Sequence, residues 1–219
     1  MTLPFRLFCD KNTKISKYDW IEVDCEKAED DKRAESYKVN YDTIKKIGHI
    51  NTDHNWAERN EIVLPKCSKN LRELTDAGAS LGIIKPSEVM EFKRELKDDE
   101  IGQEYNKTFQ MIFDGERGLK PIPNIEKMDR HFSYHFKCDG EGTLHKIICE
   151  DWELYQSSRN WIKTYGTDEK VWEKLHEKYY ETFTTERDLH FIVGTHYRFK
   201  TWIIIGVYYP PKIINAGAC

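Results

Sequence analysis

DLHFIVGTHYRFKTWIIIGVYYPPK, residues 188–212, decides the fold class. Two apolar runs, DLHFIVG (188–194) and TWIIIGVYYPP (201–211), flank the short stretch THYRFK (195–200). β-Branched and aromatic runs of this length, joined by so few residues, predict a well-buried C-terminal hairpin that stops at Pro210-Pro211. Upstream, HFSYHFKC (131–138) alternates, with Phe132, Tyr134, Phe136 and Cys138 on one face and His131, Ser133, His135 and Lys137 on the other. Period two makes it a half-buried strand. KIICEDW (146–152) predicts a second strand, and DGEG (139–142) supplies the turn between them.

Between these strand pairs the period changes. DWELYQSSRNWIK predicts a helix, and so does DEKVWEKLHEKYYETF (168–183), where Val171, Trp172, Leu175, Tyr179 and Phe183 recur at spacings of three and four. Thr167 is its expected N-cap, with Asp168 and Glu169 in the first turn where the helix dipole favours acids. The class is therefore α+β: an antiparallel sheet with a C-terminal hairpin, covered by two or more helices.

The N-terminal half is less regular. Residues 3–9 and 19–23 read as short strands, 36–39 as another, and the chain through Ile44 and Ile47 as a helix or turn. Glu22 to Glu35 holds seven acids and three bases, a solvated loop by charge. Residues 56–64 read as helical up to Pro65, and SLGII (80–84) stops at Lys85-Pro86. SEVMEFKREL (87–96) predicts a short helix opened by Ser87, with Val89, Met90, Phe92 and Leu96 as its apolar positions. DGERGLKPIPN (114–124) is the Gly/Pro-rich loop or boundary. The expected organisation is an N-terminal mixed α/β part (1–113) and a C-terminal α+β part (125–219), or both in a single compact domain.

Composition bounds the function. The 219 residues carry 34 Lys+Arg against 38 Asp+Glu, which excludes a strongly basic nucleic-acid coat while allowing a local basic face. No apolar run approaches the roughly 18 residues that span a bilayer, and the first residues lack a signal-peptide core. The expectation is a protein with no membrane partner. Six widely spaced cysteines with no CxxC read as reduced thiols in a cytoplasmic chain, with no standard zinc ribbon.

Three constellations could carry chemistry. Cys138 and His145 flank the predicted turn, and with Cys149 or a nearby carboxylate they could hold zinc through mixed ligands. The ordinary alternative is a buried structural cysteine. Asp151 and Glu153, beside Glu150 at a strand end, could chelate Mg²⁺ next to a phosphodiester, with His145 or His190 assisting. Against this stand the lack of an ExK triplet and a simpler origin, acids in the first turn of a helix. His196, Tyr197, Arg198 and Lys200 interleave rings and cations in a pattern suited to stacking on bases and pairing with phosphates. From Arg187 onward there are four bases and one acid, the one basic region of the chain. The alternative there is an ordinary solvated turn at a sheet edge. Phosphate-loop, dinucleotide, HExxH and GxSxG signatures are missing.

The blocks ESYKV (35–39), SLGIIKP (80–86), HFSYHFKC with LHKIICEDWELY (131–155) and residues 188–212 resemble a widespread, uncharacterised family of prokaryotic proteins. The resemblance carries no activity. It implies a second cysteine and a Gly-His after the strand matching 131–138, where this chain has Thr143-Leu144 before His145, a departure that argues against zinc. The leading expectation is a nucleic-acid-associated binding module, or a subunit of a larger effector complex with a protein partner, such as a split chain completing an Argonaute-type partner. The alternatives are a metal-dependent hydrolase or nuclease built on residues 145–153 and a protein-interaction module.

Overall fold

A computed structural model of the chain describes residues 15–96, 130–196 and 199–213. The strand expected at 3–9 and the loop at 114–124 lie outside the described residues. In chain order the elements are β1 (Asp19–Glu22), β2 (Cys25–Lys27), β3 (Tyr37–Val39), β4 (Lys45–His49), α1 (Asp53–Val63), β5 (Cys67–Ser68), α2 (Leu71–Asp76), β6 (Leu81–Ile84) and β7 (Pro86–Leu96). There follow β8 (Arg130–Cys138), β9 (His145–Cys149), α3 (Trp152–Tyr165), α4 (Asp168–His176), a π-helical turn (Glu177–Thr182), α5 (Phe183–Thr185), β10 (His190–Thr195) and β11 (Trp202–Tyr208). The class is α+β, as the residue patterns predict.

Seven strands form one sheet in the order β5-β6-β10-β11-β9-β8-β7, and β1-β4 and β2-β3 form separate ribbons. Most pairings of the large sheet are antiparallel, but β9–β11 and β5–β6 are parallel, so the sheet is mixed. Strands β6 and β7 are one run of chain interrupted at Lys85. Its first half pairs with β10 and its second half with β8. This one run of chain is therefore next to last at one end of the strand order and last at the other, and the sheet curls. That curl brings the Phe191 ring from β10 within 4.8 and 4.9 Å of Tyr134 and Phe136 on β8, although two strands intervene in the order.

The helices fill the concave side. Phe92 stacks on Trp172 with centroids 5.4 Å apart, Phe132 meets Tyr155 edge-on at 5.2 Å, and the Tyr134 hydroxyl donates to the Tyr179 carbonyl at 2.7 Å. That last bond satisfies a phenol that is otherwise fully buried. Among the described residues no helix is long and apolar enough to cross a membrane.

The structure corrects three local expectations. Residues 87–96 form a strand, not a helix. Their apolar positions fit either period, and β8 supplies a ladder that an isolated helix lacks, with Glu88, Glu91 and Glu95 facing Lys137, His135 and His131 across it. Lys45–His49 is a strand on β1, following a single 3-10 turn at Tyr41–Thr43. The acidic stretch 22–35 is not wholly loop, because Cys25–Lys27 pairs with β3. Beyond β2, Arg33 clasps Asp31 and donates to the Thr195 carbonyl at 2.9 Å, docking this segment on the end of β10.

Candidate functional site

Two turns open from one end of the curled sheet. β8 and β10 run in the same direction and β9 and β11 run back, so the β8–β9 and β10–β11 connections share that end. Helix α2 lies against both. At its start the Asn70 side chain caps the helix by accepting from Glu73 N–H at 2.9 Å and donates to the Asp139 carbonyl at 3.0 Å. Near its end the Thr75 hydroxyl accepts from the Trp202 indole at 3.2 Å. A Cβ added to Gly82 would meet the Leu74 side chain at 2.5 Å, so the bare glycine is what lets α2 seat on β6.

The β8–β9 turn points its polar groups inward. Gly140 supplies the left-handed backbone of the turn at φ +72°. Glu141 follows, its side chain only 4% exposed, with Oε1 accepting from Arg72 N–H at 3.0 Å and Oε2 at 2.7 Å from His145 Nε2. His145 opens β9 on the same face as Phe136, with ring centroids 5.4 Å apart. Cys138 closes β8, buried beside them. One donor atom from each of Cys138, Glu141 and His145 lies within 4.8 Å of the others. Burial pushes the Cys138 thiol up to about 12, and the Glu141 carboxylate pushes the same way. Without a metal that thiol stays protonated at neutral pH, and its 2% exposure closes it to substrates, so it is no activated nucleophile.

The predicted pair Cys138 and His145 is thus brought together. Cys149 is not: it shares the inward face of β9 but stands four residues, or about 13 Å, along the strand. There it is fully buried opposite Phe132 and Ile204, its thiol pushed up by burial. Of the two expected further donors, Cys149 or a nearby carboxylate, the cluster holds a carboxylate, that of Glu141. The sequence signal for it was Cys-x2-Glu-x3-His across a glycine turn, in which the Glu had served only as turn chemistry.

Asp151 and Glu153 hold the fold. Asp151 is the N-cap of α3, with Oδ1 accepting from Leu154 N–H at 2.9 Å and Oδ2 from Val207 N–H on β11 at 3.0 Å. At 2% exposure, with both oxygens engaged by backbone amides, it joins helix to strand. Glu153 pairs with Lys17 at 3.3 Å, and the same ammonium donates to the Val207 carbonyl at 3.2 Å. His190 is buried, its Nδ1 lying 2.9 Å from the Asp188 carbonyl. Burial lowers its pKa, opposed by the Asp188 charge. These residues do not converge on one open cleft.

The β10–β11 turn does the opposite of the β8–β9 turn. The His196 ring stacks on Phe199, with centroids 4.8 Å apart and planes at 25°, and Phe199 remains 61% exposed. The Lys200 N–H closes the turn on the His196 carbonyl at 2.8 Å, and its own φ is +53°. Lys200 is exposed as well. Tyr197 and Arg198 lie outside the described residues. Glu73, Asp76 and Asp139 are also exposed at this end of the sheet, so a ring platform distinguishes the turn more than net charge does.

No curated protein and no solved structure matches the chain. Residues 1–65 match a family described as Domain of unknown function (DUF8758), and its limit falls in the 3-10 turn Leu64–Lys66 that follows α1. Strands β5 to β11, the helices that fill their curl and both turns lie within residues 66–218, and over those residues the chain belongs to the family described as Domain of unknown function (DUF8757).

Proposed function

We propose that the chain is a cytoplasmic binding module for single-stranded nucleic acid, in a prokaryotic family, and that the β10–β11 turn is its contact element. The observation that carries this is the exposed Phe199 ring stacked on His196 at the tip of a hairpin whose two strands are anchored in the core. An exposed ring of this kind gives up apolar burial. It becomes useful when a flat partner covers it. Unpaired bases stack on such rings at about 1–3 kcal/mol each, whereas paired bases present no open face. Lys200, with Arg198 in the same turn, supplies cations for the flanking phosphates. The structural employment of Asp151 and Glu153 favours binding over hydrolysis at 150–153.

The test is fluorescence anisotropy of labelled single-stranded RNA and DNA oligomers with the full chain at low and physiological salt, using a duplex of the same sequence as control. Binding to the single strands, with Phe199→Ala weakening it about tenfold, is expected. No binding at low salt, or equal binding by the variant, overturns the proposal.

A further inference from the structure

The β8–β9 turn has a chemistry that nucleic-acid binding does not use. Cys138, Glu141 and His145 offer a thiol, a carboxylate and an imidazole, with one donor atom from each inside 4.8 Å of the others. These groups come from fixed places: the last residue of β8, a turn set by Gly140, and the first residue of β9. Their surroundings are dry on one side, where Cys138 is buried, and open on the other, where the His145 side chain keeps 16% exposure. Arg72 N–H holds Glu141 Oε1, which fixes the carboxylate and leaves Oε2 facing the imidazole. A carboxylate oxygen 2.7 Å from an imidazole nitrogen, next to a buried thiol, forms a set of three donors that one divalent cation would bridge.

We infer that Cys138, Glu141 and His145 bind one transition-metal ion of the zinc class. Sulfur and imidazole donors select zinc and its neighbours over Mg²⁺ or Ca²⁺, and three protein donors leave a fourth tetrahedral position for water beyond His145. Binding the ion releases the Cys138 thiol proton to solvent, and the imidazole binds in its neutral form with its ring proton on the nitrogen turned away from the ion, so thiolate, carboxylate and neutral imidazole are the ligands. The ion's role is structural. It fastens the β8–β9 turn to the start of α2, and the other end of α2 holds Trp202 at the root of the β10–β11 turn.

The experiment takes the full chain stripped of metal, titrates it with Zn²⁺ against a chromophoric chelator, and repeats the titration with Co²⁺ to read the thiolate-to-cobalt charge-transfer band. One equivalent of Zn²⁺ is expected, with a rise in melting temperature on loading. Cys138→Ser abolishes the band, and His145→Ala and Glu141→Gln each weaken binding at least tenfold. Cys25→Ser, an exposed thiol away from the cluster, leaves both readouts unchanged. Failure of the parent chain to compete with the chelator overturns the inference, as does a charge-transfer band that survives in Cys138→Ser. If Cys138→Ser does not fold, His145→Ala decides at the more open edge of the cluster: unchanged Zn²⁺ affinity there rejects the site.

Discussion

The two turns at one end of the sheet share a scaffold and differ in every other respect. The β8–β9 turn folds Glu141 and His145 back over Cys138 and under the first residues of α2. The β10–β11 turn projects Phe199 and Lys200 away from the sheet. In the first, polar atoms are buried and answered by other polar atoms, so losing a partner costs stability. In the second, an apolar ring is left exposed, so changing it costs the fold almost nothing. The outward turn keeps an exposed ring that a partner can cover, whereas the polar side chains of the inward turn are engaged with one another and with α2.

The largest expected effect comes from the residue that joins α3 to β11 at the opposite end of the sheet. Asp151→Ala removes the N-cap of α3 and the acceptor for Val207 N–H at once. It should cost about 2–3 kcal/mol, lowering the melting temperature by roughly 4–10 °C in calorimetry. A melting temperature unchanged by that substitution would mean that the carboxylate is free for other chemistry. Next comes Glu141→Ala in the metal-free protein, which orphans Arg72 N–H and the His145 ring and should cost about 1–3 kcal/mol by urea denaturation. Phe199→Ala should shift stability by less than about 0.5 kcal/mol in the same assay. If it destabilises the fold as much as Glu141→Ala does, the contrast between the turns collapses.

The smallest effect is on the pH profile at the far end of β10. Burial holds the His190 pKa below its ordinary 6.5. The unfolded chain therefore takes up a proton near that pH while the native chain does not, so this contribution is present above about pH 6.5 and declines as the pH falls. His190→Gln should flatten the stability profile between about pH 7 and 5 relative to the parent chain. A profile with the same slope would show that His190 titrates alike in both states.

Much of the sheet was legible in the residues, because alternation in 131–138 and the apolar runs at 188–194 and 201–211 are strong local signals. Helices α3 and α4 were legible from apolar residues at spacings of three and four, and Thr167 indeed caps α4 through its hydroxyl, but the short α2 was not read. Residues 87–96 misled because Val89, Phe92 and Leu96 satisfy a helical spacing, while the partner that settles the matter sits on β8 and lies some forty residues away in sequence. The parallel pairing of β9 with β11 has no local signature at all, since α3 to α5 intervene between them. At the site, a turn between Cys138 and His145 allowed their approach without fixing it. Glu141 was missed because a carboxylate in a glycine-rich turn looks solvated until α2 covers it. Cys149 was favoured for its chemistry, but alternation alone could not show that the same face of a strand, four residues on, is out of reach.

The most direct measurement is ultraviolet crosslinking of the full chain to a uridine-rich single strand, followed by mass-spectrometric mapping of the crosslinked peptides. If the outward turn is the contact element, the crosslinks fall within residues 195–200 and centre on its aromatic residues. Crosslinks confined to other parts of the chain, or none under conditions where the strand is bound, would contradict it.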